Sequence, residues 1–257
     1  MSPRSITAVV ASVLAATVLV LAPSAEARLS AKFKVLSLSG TLATDRHVAY
    51  EPSPYGDTCE FTQTERVRFH STKPLTAYAF TSKSHGRARV EWSLKREFSG
   101  NLVELEVPGE MTVSRTATYQ QSIRVDPDTG ESYYGCYREV KPDGSPATDC
   151  AVERTFPVTL RFGGTSDTEN STYVLADIDT RALIELNDAC EVVYPNAGDD
   201  PRLFSRAALF KKSLKRVKDT ARVEDPVFDN PSDAETATGT TVETLAGELK
   251  RKKLPRR

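Results

Sequence analysis

None of the four cysteines stands in a Cys-x-x-Cys pair, and only His47, His70 and His85 could supply imidazole, which argues against a zinc site. No serine sits in a Gly-x-Ser-x-Gly elbow, and no histidine is accompanied by a partner motif, so no catalytic residue is assigned. A dominant charge sign is lacking too. The 34 Lys+Arg and 35 Asp+Glu residues leave a formal net charge of −1, so overall charge implies no polyanionic partner. Beyond residue 27 there is no apolar run long enough to cross a bilayer as a helix, and the C-terminus carries no hydrophobic anchor. No sequence pattern requires a metal or a cofactor.

What is present begins with Met1 to Ala27. Arg4 is followed by an uncharged apolar stretch through Val20 and Leu21 and then by Ala25-Glu26-Ala27, the pattern of a secretory signal peptide cleaved after Ala27. An N-terminal membrane anchor is the competing reading of the same stretch. Export implies an oxidising compartment, where Cys59, Cys136, Cys150 and Cys190 form two disulfides. Cys136 and Cys150 flank the turn Pro142-Asp143-Gly144-Ser145 symmetrically, which favours bonding them across a hairpin and leaves Cys59 for Cys190. Spacing alone does not fix this connectivity.

From Lys32 onward hydrophobic residues recur with a period of two. Phe33, Val35, Leu36, Leu38 and Leu42 mark a first strand, with a phase slip at Val35-Leu36 that suggests a bulge or a doubly buried stretch. Cys59, Phe61, Val67 and Phe69 alternate with Glu60, Thr62, Thr64, Arg66, Arg68 and His70, so this strand has one buried and one wet face. Ala88, Val90, Trp92 and Leu94 place the single tryptophan in the core. After a break at Pro108-Gly109, the same theme runs through Val113, Ala117, Tyr119, Ile123 and Val125 to the turn Asp126 to Gly130. Val158, Leu160 and Phe162 mark another strand, and Thr172 to Ile178 a further one. Thr180 to Ala189 reads as a strand or a short helix. Leu209 to Val223 fits either period; pairing with the threonine-rich Thr236 to Leu249 favours a strand, with Asp229 to Asp233 as the connecting turn.

This layout, with Phe33-Lys34-Val35-Leu36-Ser37-Leu38-Ser39-Gly40-Thr41 and Val67-Arg68-Phe69-His70-Ser71-Thr72-Lys73-Pro74, resembles a group of exported bacterial all-β proteins of unknown function. The resemblance implies a fold and a compartment but carries no activity.

Two surface features could bind. Tyr133, Tyr134 and Tyr137 surround Cys136, and neighbouring tyrosines on a strand face opposite sides, so one side could form an aromatic platform. Lys211, Lys212, Lys215 and Arg216, with Lys218 and the run Lys250 to Arg257, concentrate positive charge in an otherwise balanced chain. On a hairpin these clusters would lie at its opposite reaches or along its edge. They would attract an anionic cell-envelope polymer, lipid headgroups or nucleic acid, unless they only keep an exposed edge from aggregating. Asp126-Pro127-Asp128-Thr129-Gly130-Glu131 resembles the start of a calcium loop but lacks its remaining ligands, so a plain turn is preferred.

The expected molecule is an all-β, antiparallel β-sandwich with long hairpins and little helix outside the signal segment. Residues 1–27 are the signal peptide, 28–249 a single disulfide-stapled domain, and 250–257 a basic disordered tail. The expected function is binding or scaffolding as a secreted or envelope-associated protein, its partner an anionic envelope polymer or another protein. The rival is an envelope-acting hydrolase whose residues converge only in three dimensions.

Overall fold

The computed structural model describes residues 28–50, 57–84, 87–96, 105–136, 148–163, 173–177, 180–190, 202–226 and 235–254. The first strands are β1 (Arg28–Tyr50), β2 (Cys59–Ser71), β3 (Leu75–Ser84) and β4 (Arg87–Ser93). β5 (Leu105–Gln121), β6 (Ile123–Val125), β7 (Ser132–Tyr134), β8 (Cys150–Gly163) and β9 (Tyr173–Asp177) follow. Helices α1 (Thr180–Ala189) and α2 (Arg206–Phe210) precede β10 (Arg216–Pro226) and β11 (Glu235–Lys252). Every strand pairing among the described residues is antiparallel and strands predominate, so the all-β reading holds.

β1 is the spine. Along one edge it pairs with β11 from Lys32 to Tyr50; along the other it pairs first with β3 and then with β2. The phase slip at Val35-Leu36 is a bulge, where the register with β11 jumps from Val35 to Ser37. Just beyond it the Leu38 amide donates to Ser71 Oγ at 3.0 Å, which satisfies the backbone where β2 leaves and β3 begins. The sheet therefore forks. One arm runs β2-β5-β8-β9 and the other β3-β4, with β11 and β10 on the far side of β1.

The arms fold over one another. Trp92 of β4 lies 4.8 Å, ring to ring, from Phe162 of β8, although four strands separate them in hydrogen-bonding order. Phe33 at 5.9 Å from Trp92, and Phe204 at 6.0 Å from Phe162, extend this aromatic core. Trp92, Phe33 and Phe162 are fully buried, as the alternation required, and Phe204 is buried with them. Phe204 lies against Gly247 of β11, where a Cβ would come within 2.3 Å of its ring. Its positive φ of 55° is held by an amide donated to Asp219 Oδ2 at 2.6 Å.

Several sequence expectations need correction. Pro108-Gly109 does not break the chain: β5 runs through both, because the Pro108 carbonyl accepts from the Thr72 amide and a bare Gly109 clears His70 O and Leu160. Ile123 and Val125 are not core residues. The ladder with β2 stops at Gln121, Ser122 bonds to Thr58, and β6 departs to form an exposed hairpin with β7. Leu209 and Phe210 belong to α2, and the strand begins only at Arg216, whereas Thr180 to Ala189, which the sequence left open between strand and helix, is helical. Lys250 to Lys252 are part of β11 rather than a disordered tail, since they pair with β1 and β10. Residues 255–257 and the turn at 229–233 lie outside the described residues.

The disulfides are also paired differently, as Cys59–Cys136 and Cys150–Cys190. The hairpin that organises Cys136 is β6–β7, closed at Asp126 to Gly130; the proposed turn at 142–145 lies outside the described residues. Gly135 N bonds to Ser122 O and Ser122 N to Thr58 O, which brings Cys136 over Cys59, the first residue of β2. Cys190 follows α1, whose packing on β8 places it beside Cys150.

The inner face of β2 and β5 also carries a charge pair that alternation did not reveal. Glu65 and Arg115 are cross-strand partners, and Arg115 Nε donates to Glu65 Oε1 at 2.6 Å with both side chains buried. Arg115 Nη1 donates to Asn187 Oδ1 at 2.7 Å and reaches the Cys190 carbonyl, so the guanidinium ties α1 to the sheet. Removing one member of a buried pair strands the other charge. Glu65→Ala should lose about 3–5 kcal/mol in denaturant unfolding, and a loss below about 1 kcal/mol would contradict this role.

Candidate functional site

The register of the last hairpin gathers basic residues at one end of the sheet. Arg216 pairs with Lys250, and Lys250 pairs in turn with Lys34. One row of neighbouring side chains on β10, β11 and β1 is therefore entirely cationic. The next row holds Lys252 opposite Lys32, whose ammonium lies 5.3 Å from the Tyr78 ring centroid. The two C-terminal clusters are thus at the same end, not at opposite reaches. The antiparallel register leaves no alternative, because the start of β10 must meet the end of β11.

This row faces away from the core. Val217, Leu249, Phe33 and Val35 alternate with the cations and are buried, so Arg216, Lys250 and Lys34 project from the opposite surface. Among the described residues, the carboxylate ion-paired to cations at this end of the face is Glu248. It takes Arg216 Nη1 at 2.7 Å and Lys218 Nζ at 3.4 Å, both on the edge strand. Lys34, Lys250 and Lys252 have no such pair among the described residues.

Arg251 shapes the rim. It lies on the other face of β11, with its guanidinium 5.0 Å from the Phe33 ring centroid. It donates to the carbonyls of Leu209, Lys211 and Leu214, while its amide bonds Lys215 O at 2.9 Å. These carbonyls end α2 and the loop after it, which suits a cation. Burial pushes the guanidinium below the ordinary arginine value. This clamp ties the backbone of residues 209–215, which bears the exposed Lys211, Lys212 and Lys215, to β11. Sequence reading found these lysines and Arg216, but it missed Lys32 and Lys34, which lie far away in the chain inside an ordinary-looking strand.

The tyrosine cluster lies at the other end of the sheet. Tyr133 of β7 is exposed, with the Arg124 guanidinium 5.0 Å from its ring centroid. The Tyr134 side chain and Tyr137 lie outside the described residues. The turn beside them is closed by its own groups: Asp126 Oδ1 accepts from the amides of Asp128 at 2.8 Å and Thr129 at 3.0 Å. These bonds hold the Asp126 carboxyl below its usual range. Asp126 Oδ1 is therefore engaged by backbone, as in an Asx turn.

The histidines are peripheral. His47 faces Glu60 at 3.3 Å and Thr62 at 3.4 Å on the exposed surface, His70 is exposed, and His85 lies outside the described residues. No family model, no curated protein and no solved structure matches this chain.

Two outcomes follow from these contacts. Arg251→Ala leaves several inward carbonyls short of a donor and should cost about 1–3 kcal/mol, with faster amide exchange concentrated in residues 209–215. Unchanged exchange there would show that the clamp does not order the rim. Because the Asp126 pKa is depressed on folding, its stabilising effect is present above the unfolded carboxylate value and is lost as pH falls through the folded value. A carboxyl titration followed by NMR should place Asp126 below about 3.9.

Proposed function

We propose that this protein is a secreted or envelope-associated binding protein that holds an anionic polymer on the outer face of β1, β10 and β11. Two disulfides support an oxidising, extracellular environment, and among the described residues no helix is long and apolar enough to cross a membrane. Export through residues 1–27 is part of the proposal, since those residues lie outside the described set.

The carrying observation is the row Arg216–Lys250–Lys34. Side chains directly opposite in an antiparallel ladder have Cβ atoms about 4.5–5.5 Å apart, and like charges there are destabilising. Protection against edge aggregation accounts for cations on β10, the edge strand. It does not account for Lys34 and Lys250, which sit on strands paired along both sides. Anionic ligand would offset the repulsion and make these positions useful.

Lys250→Gln should therefore leave the protein as stable or up to about 1 kcal/mol more stable in thermal or denaturant unfolding. The functional test uses envelope fragments of the producing cells. Native protein should be retained at low salt and released as salt rises, and Lys34→Gln/Lys250→Gln should elute at distinctly lower salt. Identical elution of the two proteins would reject the proposal.

A further inference from the structure

We infer that the face is matched to a phosphodiester chain with three carbons between successive phosphates, lying along the strands; this rests on its being an anion site. The spacing of the cations carries the inference. Residues two apart on one face of a strand are separated by six backbone bonds and by about 6.6 Å. Lys32 and Lys34 on β1, Lys250 and Lys252 on β11, and Arg216 and Lys218 on β10 are such pairs.

In a chain of the form P–O–C–C–C–O–P, successive phosphorus atoms are likewise six bonds apart. Extended, that chain has nearly the repeat of the strand beneath it. Over the seam between β1 and β11, one phosphate meets Lys34 and Lys250 and the next meets Lys252, in register, while the Lys32 ammonium lies on the β3 side of β1, over Tyr78. Inorganic polyphosphate places its charges two bonds apart, so two of every three of its phosphates would fall between the rows and meet no cation. A small anion is the poorer fit too, because the cations form parallel rows rather than converging on one point.

The side-chain types indicate which part of the polymer is held. Lysines act as point charges that accept any approach to a phosphate oxygen, and the arginine fork of the central row, Arg216, is already taken by Glu248. Tyr78, the aromatic ring adjoining the rows, is already covered by the Lys32 ammonium and so offers no open platform for stacking a base. The face holds backbone, not base or sugar. Two sources share this chemistry: glycerol phosphate polymers, and single-stranded nucleic acid through its C3′–C4′–C5′ link.

The test measures binding of the disulfide-bonded full chain and of Lys34→Gln/Lys250→Gln to charge-matched polymers: poly(glycerol phosphate), single-stranded DNA, inorganic polyphosphate and polygalacturonate. Vesicles of phosphatidylglycerol form a fifth arm. A three-carbon phosphodiester should bind at least tenfold more tightly than polyphosphate or polygalacturonate, and the double variant should lose at least tenfold on it. The slope of log K against log salt should also become shallower in the variant, as fewer phosphates are neutralised. Equal affinity for poly(glycerol phosphate) and DNA means the backbone alone is read, and a preference identifies the source. Equal binding of all four polymers, with equal loss in the variant, overturns the spacing inference and leaves the anion site standing. No effect of the variant on any polymer, or binding confined to vesicles, overturns both. Thermal unfolding of the variant at or above the parent value shows that a lost affinity is not lost folding.

Discussion

The architecture depends on one strand being hydrogen-bonded along both edges. β1 meets β11 on one side throughout and divides its other side between β3 and β2. A bulge at Leu36 and the bond from Leu38 N to Ser71 Oγ mark the division. Because β2 and β3 occupy the same edge in succession, the chain between them, from Thr72 to Pro74, has to step away from β1 and lets the two arms diverge. The divergence makes the sandwich possible: β3–β4 swings Trp92 onto Phe162 of the other arm, and Phe33 of β1 closes the aromatic group between them.

Burial along the forked sheet is divided between two kinds of interior. Around Trp92 it is aromatic and aliphatic. Farther along β2 and β5 it becomes polar, with Gln63, Glu65 and Arg115 all buried and Arg115 anchored to α1 through Asn187. Buried charge is a poor source of net stability but a good source of uniqueness, since only one placement of α1 satisfies the guanidinium. The Cys150–Cys190 bond acts on the same element from its end, so α1 is fixed by a covalent link and by a directional one. At the same end of the sheet, the small β6–β7 hairpin needs comparable support, because two strands alone are marginal in water. It has Cys59–Cys136 at its base and the Asp126 turn at its tip.

Much of this was legible in the alternation. The period of two marked β1, β2, β4 and the end of β8 correctly, and the phase slip at Val35-Leu36 was the bulge itself. The signal failed where local chemistry was overruled by neighbours. Pro108-Gly109 reads as a break, yet the carbonyl of one and the bareness of the other are used inside a continuous strand. Symmetric spacing about Pro142 to Ser145 favoured the wrong disulfide partners, because Ser122 and Gly135 redirect the chain through bonds no spacing rule encodes. The basic site was half legible. Lys211 to Arg216 and Lys250 onward form visible clusters, but Lys32 and Lys34 alternate innocuously with Phe33 and Val35. Only the strand register joins them to the rest.

That register also explains why the cations occur where they do. A sheet face needs polar residues, and threonine supplies them at little electrostatic cost elsewhere on this surface, as in the hydroxyl pairs Thr41–Thr244, Thr64–Thr116 and Thr112–Thr155. The same surface could have continued in threonine to its end. Instead, three adjacent strands turn to lysine and arginine in one row, and the carboxylate Glu248 is paired with the edge strand rather than with the middle of the row. Arg251, on the reverse side of the same strand, ties the backbone of the loop that precedes β10 to β11. Solubility alone would be served by mixed charges, and edge protection by cations on β10 only. Repulsion concentrated on paired inner strands is the arrangement expected of a surface whose missing counter-charge arrives with its ligand.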